Sequence, residues 1–139
     1  MTWQLFALGS AFFAGLTAIF GKLGVAGMNS DLATLIRTAI IFVMILAIVS
    51  FRGEWQSPRL IEPRALLFLV LSALATGFSW LLYYRALQLG PASLVAPVDK
   101  LSVVFAILLG IIFLGEAASL KMAIGGGLII SGVLILVWP

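Results

Sequence analysis

The sequence of 139 residues has no cysteine and no histidine, and it is poor in charge, with 5 acidic and 8 basic residues. Without cysteine there are no disulfides and no thiolate metal sites. Without histidine the usual imidazole base and metal ligand are missing too. No nucleophile stands beside a base, and neither a metal-ligand cluster nor a phosphate-binding loop can be found, so an enzyme is not expected and neither is a metal or organic cofactor. What is abundant is apolar surface: 63% of residues are hydrophobic against 9% charged, and the mean hydropathy is +1.26. Such a balance excludes an ordinary soluble domain and points to an integral membrane protein lying in the lipid bilayer. The net charge of +3 and the pI near 9.8 do not make it a nucleic-acid binder, because the basic residues are scattered singly between lipid-compatible segments. Their distribution speaks to membrane orientation instead.

About 20 apolar residues cross a bilayer, and the chain divides into five such segments, about residues 3–21, 32–51, 65–89, 92–114 and 120–138. The expected fold is therefore all-α, one membrane domain of five transmembrane helices. The first segment lacks the basic flank and small-residue cleavage site of a signal peptide, so it reads as a retained helix, reaching Met28 if Lys22 is buried. Gly9, Gly15, Gly21, Gly24 and Gly27 leave one side of it almost without bulk, which predicts close helix packing or a bend. Asn29-Ser30-Asp31 is a turn with a ready N-cap. Arg52 to Arg64 forms the one clearly polar loop, with Trp55 as an interface anchor, and Trp138 falls at the far interface. Pro97 predicts a kink or unwound segment just before Asp99. Ala123, Gly127 and Ser131 make a small-residue face in the last span for another helix, within this chain or from another subunit.

Arg52, Arg59, Arg64 and Lys121 fall on one side of the membrane, favouring that side and the N-terminus in the cytoplasm, with the cytoplasmic membrane as location. Lys22, Arg37, Arg85 and Lys100 fall toward the other. If those four are sequestered, the chain inserts N-in; if they flank the spans, insertion can be mixed.

The stretch WLLYYRALQLGPASLVAPVDKLSVVFAILLGIIFLGE, Trp80 to Glu116, joins two spans at Gly90-Pro91 and places Arg85, Asp99 and Lys100 in apolar surroundings. Charges at such depth are costly and call for a reason. The segments WLLYYRALQLGPASLVAP and FAILLGIIFLGE, followed by a Gly-rich last helix, resemble the EamA-type repeat of the drug/metabolite transporter superfamily. Tyr83, Ala86, Leu87, Ala92, Ser93, Pro97 and Gly115-Glu116 match its pattern, and Lys22 and Arg37 fall where such repeats often carry a Lys and an Arg. Familiar members have ten spans made of two inverted repeats, whereas this chain supplies one. The resemblance therefore implies a transporter whose site is completed by an antiparallel homodimer or a related five-span partner, with a parallel dimer as the alternative. Asp99-Lys100 departs from the small or apolar residues common there, so no substrate is carried over.

Each candidate has a structural and a functional reading. Asp99 is a proton-coupling site or the ion partner of Arg85 across the turn. Lys100 contacts an anionic substrate group, snorkels or pairs. Lys22 and Arg37 line a cavity suited to a carboxylate or phosphate, or sit at the interface near Asp31. Trp80 and Tyr84, four apart, form an aromatic wall for an organic cation or aromatic metabolite, or simply pack. The leading expectation is a secondary exporter of a small polar or amphipathic molecule, exchanged for protons by alternating access in a dimer. A non-transporting membrane subunit that stabilises a partner, and a lipid-headgroup flippase with a groove open to lipid, are the alternatives.

Overall fold

A computed structural model describes residues 2–138. The described residues are helical, with no strand: α1 (Trp3–Gly24), α2 (Ser30–Arg52), a short 3-10 turn (Pro58–Leu60), α3 (Pro63–Leu89), α4 (Ala92–Asp99), α5 (Ser102–Leu114) and α6 (Leu120–Val137). Five helical stretches are long and apolar enough to cross a membrane, the fourth being Ala92–Leu114, which is α4 and α5 together. The all-α membrane fold expected from composition is the one observed.

Local chemistry sets the helix ends. At α2 the side-chain oxygen of Asn29 accepts from the backbone N–H groups of Asp31 at 2.8 Å and Leu32 at 3.2 Å, satisfying two otherwise orphaned donors. Asp31 in the first turn complements the helix dipole. At the other end Gly53 takes φ 65°, and the Glu54 N–H returns to the Val49 carbonyl at 3.1 Å, a left-handed termination that suits glycine. The Ser119 hydroxyl accepts from Met122 N–H at 3.2 Å and opens α6 in the same way. Replacing Asn29 with Ala is expected to cost about 1 kcal/mol, the usual value of a lost N-cap. The check is thermal unfolding in detergent beside Asn29→Ser, which keeps a cap; equal melting of Ala and Ser variants would remove the cap from the account.

The fourth span is interrupted, but just after Asp99 instead of just before it. Pro97 has no N–H to give the Ser93 carbonyl, yet its fixed φ is helical and α4 continues through it. The tightening comes where Lys100 N–H is shared between the Ala96 and Pro97 carbonyls at 3.3 and 3.0 Å. Leu101, Val103 and Val104 then bond three residues back instead of four. One turn of 3-10 geometry thus separates α4 from α5.

The chain forms two compact units, residues 21–89 and residues 1–20 with 90–139. In the first, α2 packs against α3, and Val25, Ala33, Thr34, Tyr84 and Leu87 are buried. In the second, α4 and α5 both pack against α6, with Gly110, Gly126 and Val133 buried. Gly126 faces Ile107, while Ala123, Gly127 and Ser131 are exposed. Gly110 is buried beneath the Glu116 carboxylate, which would lie 2.9 Å from a Cβ built there. Large apolar side chains are exposed along every span, Phe12, Phe42, Phe113 and Ile135 among them. Water would not tolerate so much apolar surface on a monomer, whereas lipid solvates it without cost.

Among the described residues, one glycine of the first span is in close contact with another helix. Gly21 is the close approach: a Cβ there would stand 3.2 Å from Leu87 Cδ1 and from the Tyr84 hydroxyl. Around Gly9, Gly15, Gly24 and Gly27 no described atom comes within 4 Å of such a Cβ.

Candidate functional site

The polar residues of the unit formed by residues 21–89 collect where the end of α1 and the first turns of α2 meet the last turns of α3. On α2, Ser30, Ala33, Thr34 and Arg37 follow helical spacing, and the first three are buried. On α3, Trp80, Tyr84 and Leu87 do the same, with Tyr84 and Leu87 buried. Arg37 therefore meets aromatic surface: its guanidinium carbon lies 4.0 Å from the Trp80 ring centroid and 5.5 Å from that of Tyr84. A guanidinium over one half-buried and one buried ring gains roughly 0.5–2 kcal/mol from each. One of its terminal nitrogens, Nη1, is fully buried with no hydrogen-bond acceptor among the described residues.

Lys22, in the last turn of α1, extends to the end of α3 and donates to the Leu87 carbonyl at 2.6 Å. That carbonyl is among the last four of α3, which have no partner within the helix, and a cation there also suits the negative end of the dipole. Arg85 donates to Gln88 Oε1 at 2.7 Å, and Gln88 Nε2 donates to the Met28 carbonyl at 2.8 Å, so a short polar relay fastens the α1–α2 turn to α3. In the other unit Asp99 closes α4 and accepts from its neighbour Lys100 at 3.3 Å. Both side chains are partly exposed, 34% and 53%, beside the 3-10 turn that breaks the fourth span.

Of the seven sequence candidates, Lys22, Arg37, Trp80, Tyr84 and Arg85 thus stand in one compact unit and Asp99 and Lys100 in the other. The faces of Trp80 and Tyr84 carry this chain's own cation, Arg37.

A groove of about 580 Å³ runs between α2 and α3, and sequence reasoning passed over most of its polar wall. Asp31, Thr34 and Thr38 line it from α2, and Ser72, Thr76 and Trp80 from α3. Thr34 and Thr38 donate to the Ser30 and Thr34 carbonyls at 2.9 and 2.8 Å, and Thr76 to the Ser72 carbonyl at 2.8 Å. With their protons engaged by their own helices, these hydroxyls offer the groove acceptor lone pairs. The signal was present as two hydroxyl pairs at four-residue spacing, Thr34/Thr38 and Ser72/Thr76, on neighbouring spans. Trp80 belongs to both features, carrying Arg37 and walling the groove.

Comparison with known proteins agrees with this architecture. The EamA-like transporter family matches residues 1–138. A protein of Sinorhizobium sp. described as an uncharacterized transporter in the cobO 3′ region is 55% identical over 135 residues, covering 97% of this chain and 96% of the relative. An uncharacterized protein of Methanocaldococcus jannaschii is 28% identical over 126 residues, covering 91% of this chain and 89% of the relative. No solved structure matches the chain. Matched over nearly its whole length, and more than half identical to a relative that it covers almost completely, the chain belongs to the EamA-like transporter family and is a multi-pass membrane protein of the drug/metabolite transporter type.

Proposed function

We propose that the protein is a secondary transporter of a small polar or amphipathic metabolite, working as an exporter by alternating access in a dimer in the cytoplasmic membrane. The observation that carries this reading is the cluster of Arg37, Trp80 and Tyr84 in the 21–89 unit, with a buried guanidinium nitrogen that lacks an acceptor. An ionisable group kept inside membrane spans marks a substrate or ion path by default.

The dimer follows from repeat arithmetic. Inverted-repeat transporters form their site at the midplane between two halves, and five spans are one half. Two relatives are covered by this chain over 96% and 89% of their lengths, so they too are about this size. An antiparallel homodimer supplies the second half, and the exposed Ala123, Gly127 and Ser131 of α6 offer a face on which helices can approach closely. The basic residues of the polar loop favour the N-terminus in the cytoplasm for one protomer, and Lys22, Arg37, Arg85 and Lys100 toward the other side permit the opposite insertion that its partner needs. Asp99, an acid inside the fourth span next to its break, is the proposed proton carrier. Broken membrane helices characteristically border ion and substrate sites.

The α2–α3 groove favours one further reading, a flippase that passes a lipid headgroup along hydroxyls. The two are separated with proteoliposomes under an imposed proton gradient, scored for solute-dependent current and tracer flux and, in parallel, for movement of a headgroup-labelled lipid between leaflets. Solute flux above that of empty vesicles supports the exporter. Lipid movement without solute flux supports the flippase, and silence in both assays from folded, dimeric protein removes the transport reading.

A further inference from the structure

The chemistry around Arg37 narrows the substrate class, an inference that rests on the transport reading above. Within its unit the acidic residues are Asp31, Glu54 and Glu62, and none forms an ion pair with Arg37. The rings of Trp80 and Tyr84 hold the guanidinium in place but do not neutralise it, and Nη1 is shielded from solvent with its donor unused. A half-buried cation with a shielded, unused donor and no counter-ion loses free energy that a bound oxyanion would recover, and a planar guanidinium matches carboxylate or phosphate geometry. The same arrangement argues against an organic cation on the aromatic wall, since Arg37 already occupies it and a second positive charge would be repelled.

The groove adds a second condition. Its polar wall is made of acceptors, the hydroxyl oxygens of Thr34, Thr38 and Thr76 and the carboxylate of Asp31. Acceptors of this kind bind donors and repel further negative charge. Its volume of about 580 Å³ is that of a small-metabolite site. We infer that the protein recognises a small solute with one oxyanion, held by Arg37 beside Trp80, and a body bearing hydrogen-bond donors that lies along the α2–α3 groove toward Asp31.

Trp80 can report binding directly, independently of flux. With Trp3, Trp55 and Trp138 replaced by Phe, its emission is titrated with L-lactate, propionate, succinate, inorganic phosphate and ethylamine, in phosphatidylcholine vesicles and again in phosphatidylglycerol vesicles. The expected result in phosphatidylcholine is a saturable change with L-lactate, weaker with donor-free propionate and with dianionic succinate, and none with ethylamine. Arg37→Gln should weaken lactate binding roughly 10- to 100-fold, the worth of a charge-assisted hydrogen bond, and Arg37→Lys by less. If the oxyanion comes from lipid, phosphatidylglycerol alone shifts Trp80 emission in an Arg37-dependent way and the soluble anions add nothing. That result would keep the oxyanion site at Arg37 but overturn the small solute as its ligand. A response to ethylamine, silence with every anion and both lipids, or lactate binding unchanged in both Arg37 variants would overturn the inference. Flux of an amine or a neutral solute with Trp80 silent to anions would do so while leaving the transport reading in place. If Arg37→Gln does not fold, Arg37→Lys and the selectivity among the five probes still decide.

Discussion

Asp99→Asn is expected to abolish proton-driven solute current in proteoliposomes while leaving the protein folded and its solute binding intact. The stability side of this expectation rests on how little Asp99 holds together. Its ion partner is the adjacent Lys100 at 3.3 Å, and both side chains are partly exposed, so the pair is worth at most about 1 kcal/mol. Once unpaired, Lys100 can extend its ammonium toward polar surroundings along its own four-carbon stem. The functional side is larger. Asp99 lies about 10 Å along the fourth span from its start, beside the 3-10 turn, and Asn keeps its size and polarity but cannot carry a proton. Current driven by a proton gradient should therefore fall to the level of empty vesicles, whereas solute-for-solute exchange, which needs no proton, should persist. Equal proton-driven current in wild type and variant would return Asp99 to a structural role as the partner of Lys100. Loss of both current and exchange would mean that it acts on solute passage as a whole and not on coupling alone.

What was legible in the sequence follows from which forces act locally. Hydropathy over twenty-residue windows reflects solvation of each segment by lipid, so five apolar helices could be read without knowing their neighbours. The Asn29 cap was legible for a similar reason, since its bonds reach only two and three residues ahead. Helical spacing also placed Trp80 and Tyr84 on one face of α3. It did not tell what covers that face, because Arg37 comes from a different helix and its approach depends on how α2 packs on α3. The groove was missed because membrane-span Ser and Thr commonly satisfy themselves on their own carbonyls and so look neutral in a linear reading. Thr38 and Thr76 gain meaning only when their two helices lie side by side. The break after Asp99 was misplaced because the position of Pro97 shows which donor is missing, not where the turn tightens. Small residues likewise permit close approach without requiring it, and of the glycines along the first span Gly21 is the one that α3 presses against.

That contact leads to the second large effect: Gly21→Leu should destabilise the 21–89 unit and unseat Arg37. A Cβ at Gly21 would already stand 3.2 Å from Leu87 Cδ1 and from the Tyr84 hydroxyl, tighter than ordinary van der Waals contact. Neither neighbour has room to give, since Leu87 is 0% and Tyr84 5% exposed. Ala asks each to shift by a few tenths of an ångström, but the branched end of Leu must displace one of them. Overpacking of this kind costs about 1–3 kcal/mol. The strain acts on the site through two routes. Tyr84 is one of the two rings under the Arg37 guanidinium, and the neighbouring Lys22 holds the Leu87 carbonyl, so prying α1 from α3 loosens both. Melting in detergent should fall clearly for Gly21→Leu and only slightly for Gly21→Ala. Gly15→Ala, with open space around it, should be neutral or slightly stabilising because Ala is the better helix former. In the protein carrying Trp80 as its only tryptophan, Gly21→Leu should also change the emission spectrum with no solute present, reporting the displaced stack. A Gly21→Leu protein that melts and emits like its parent would mean that α1 does not approach α3 at this point, and the link from helix packing to the position of Arg37 would fail with it.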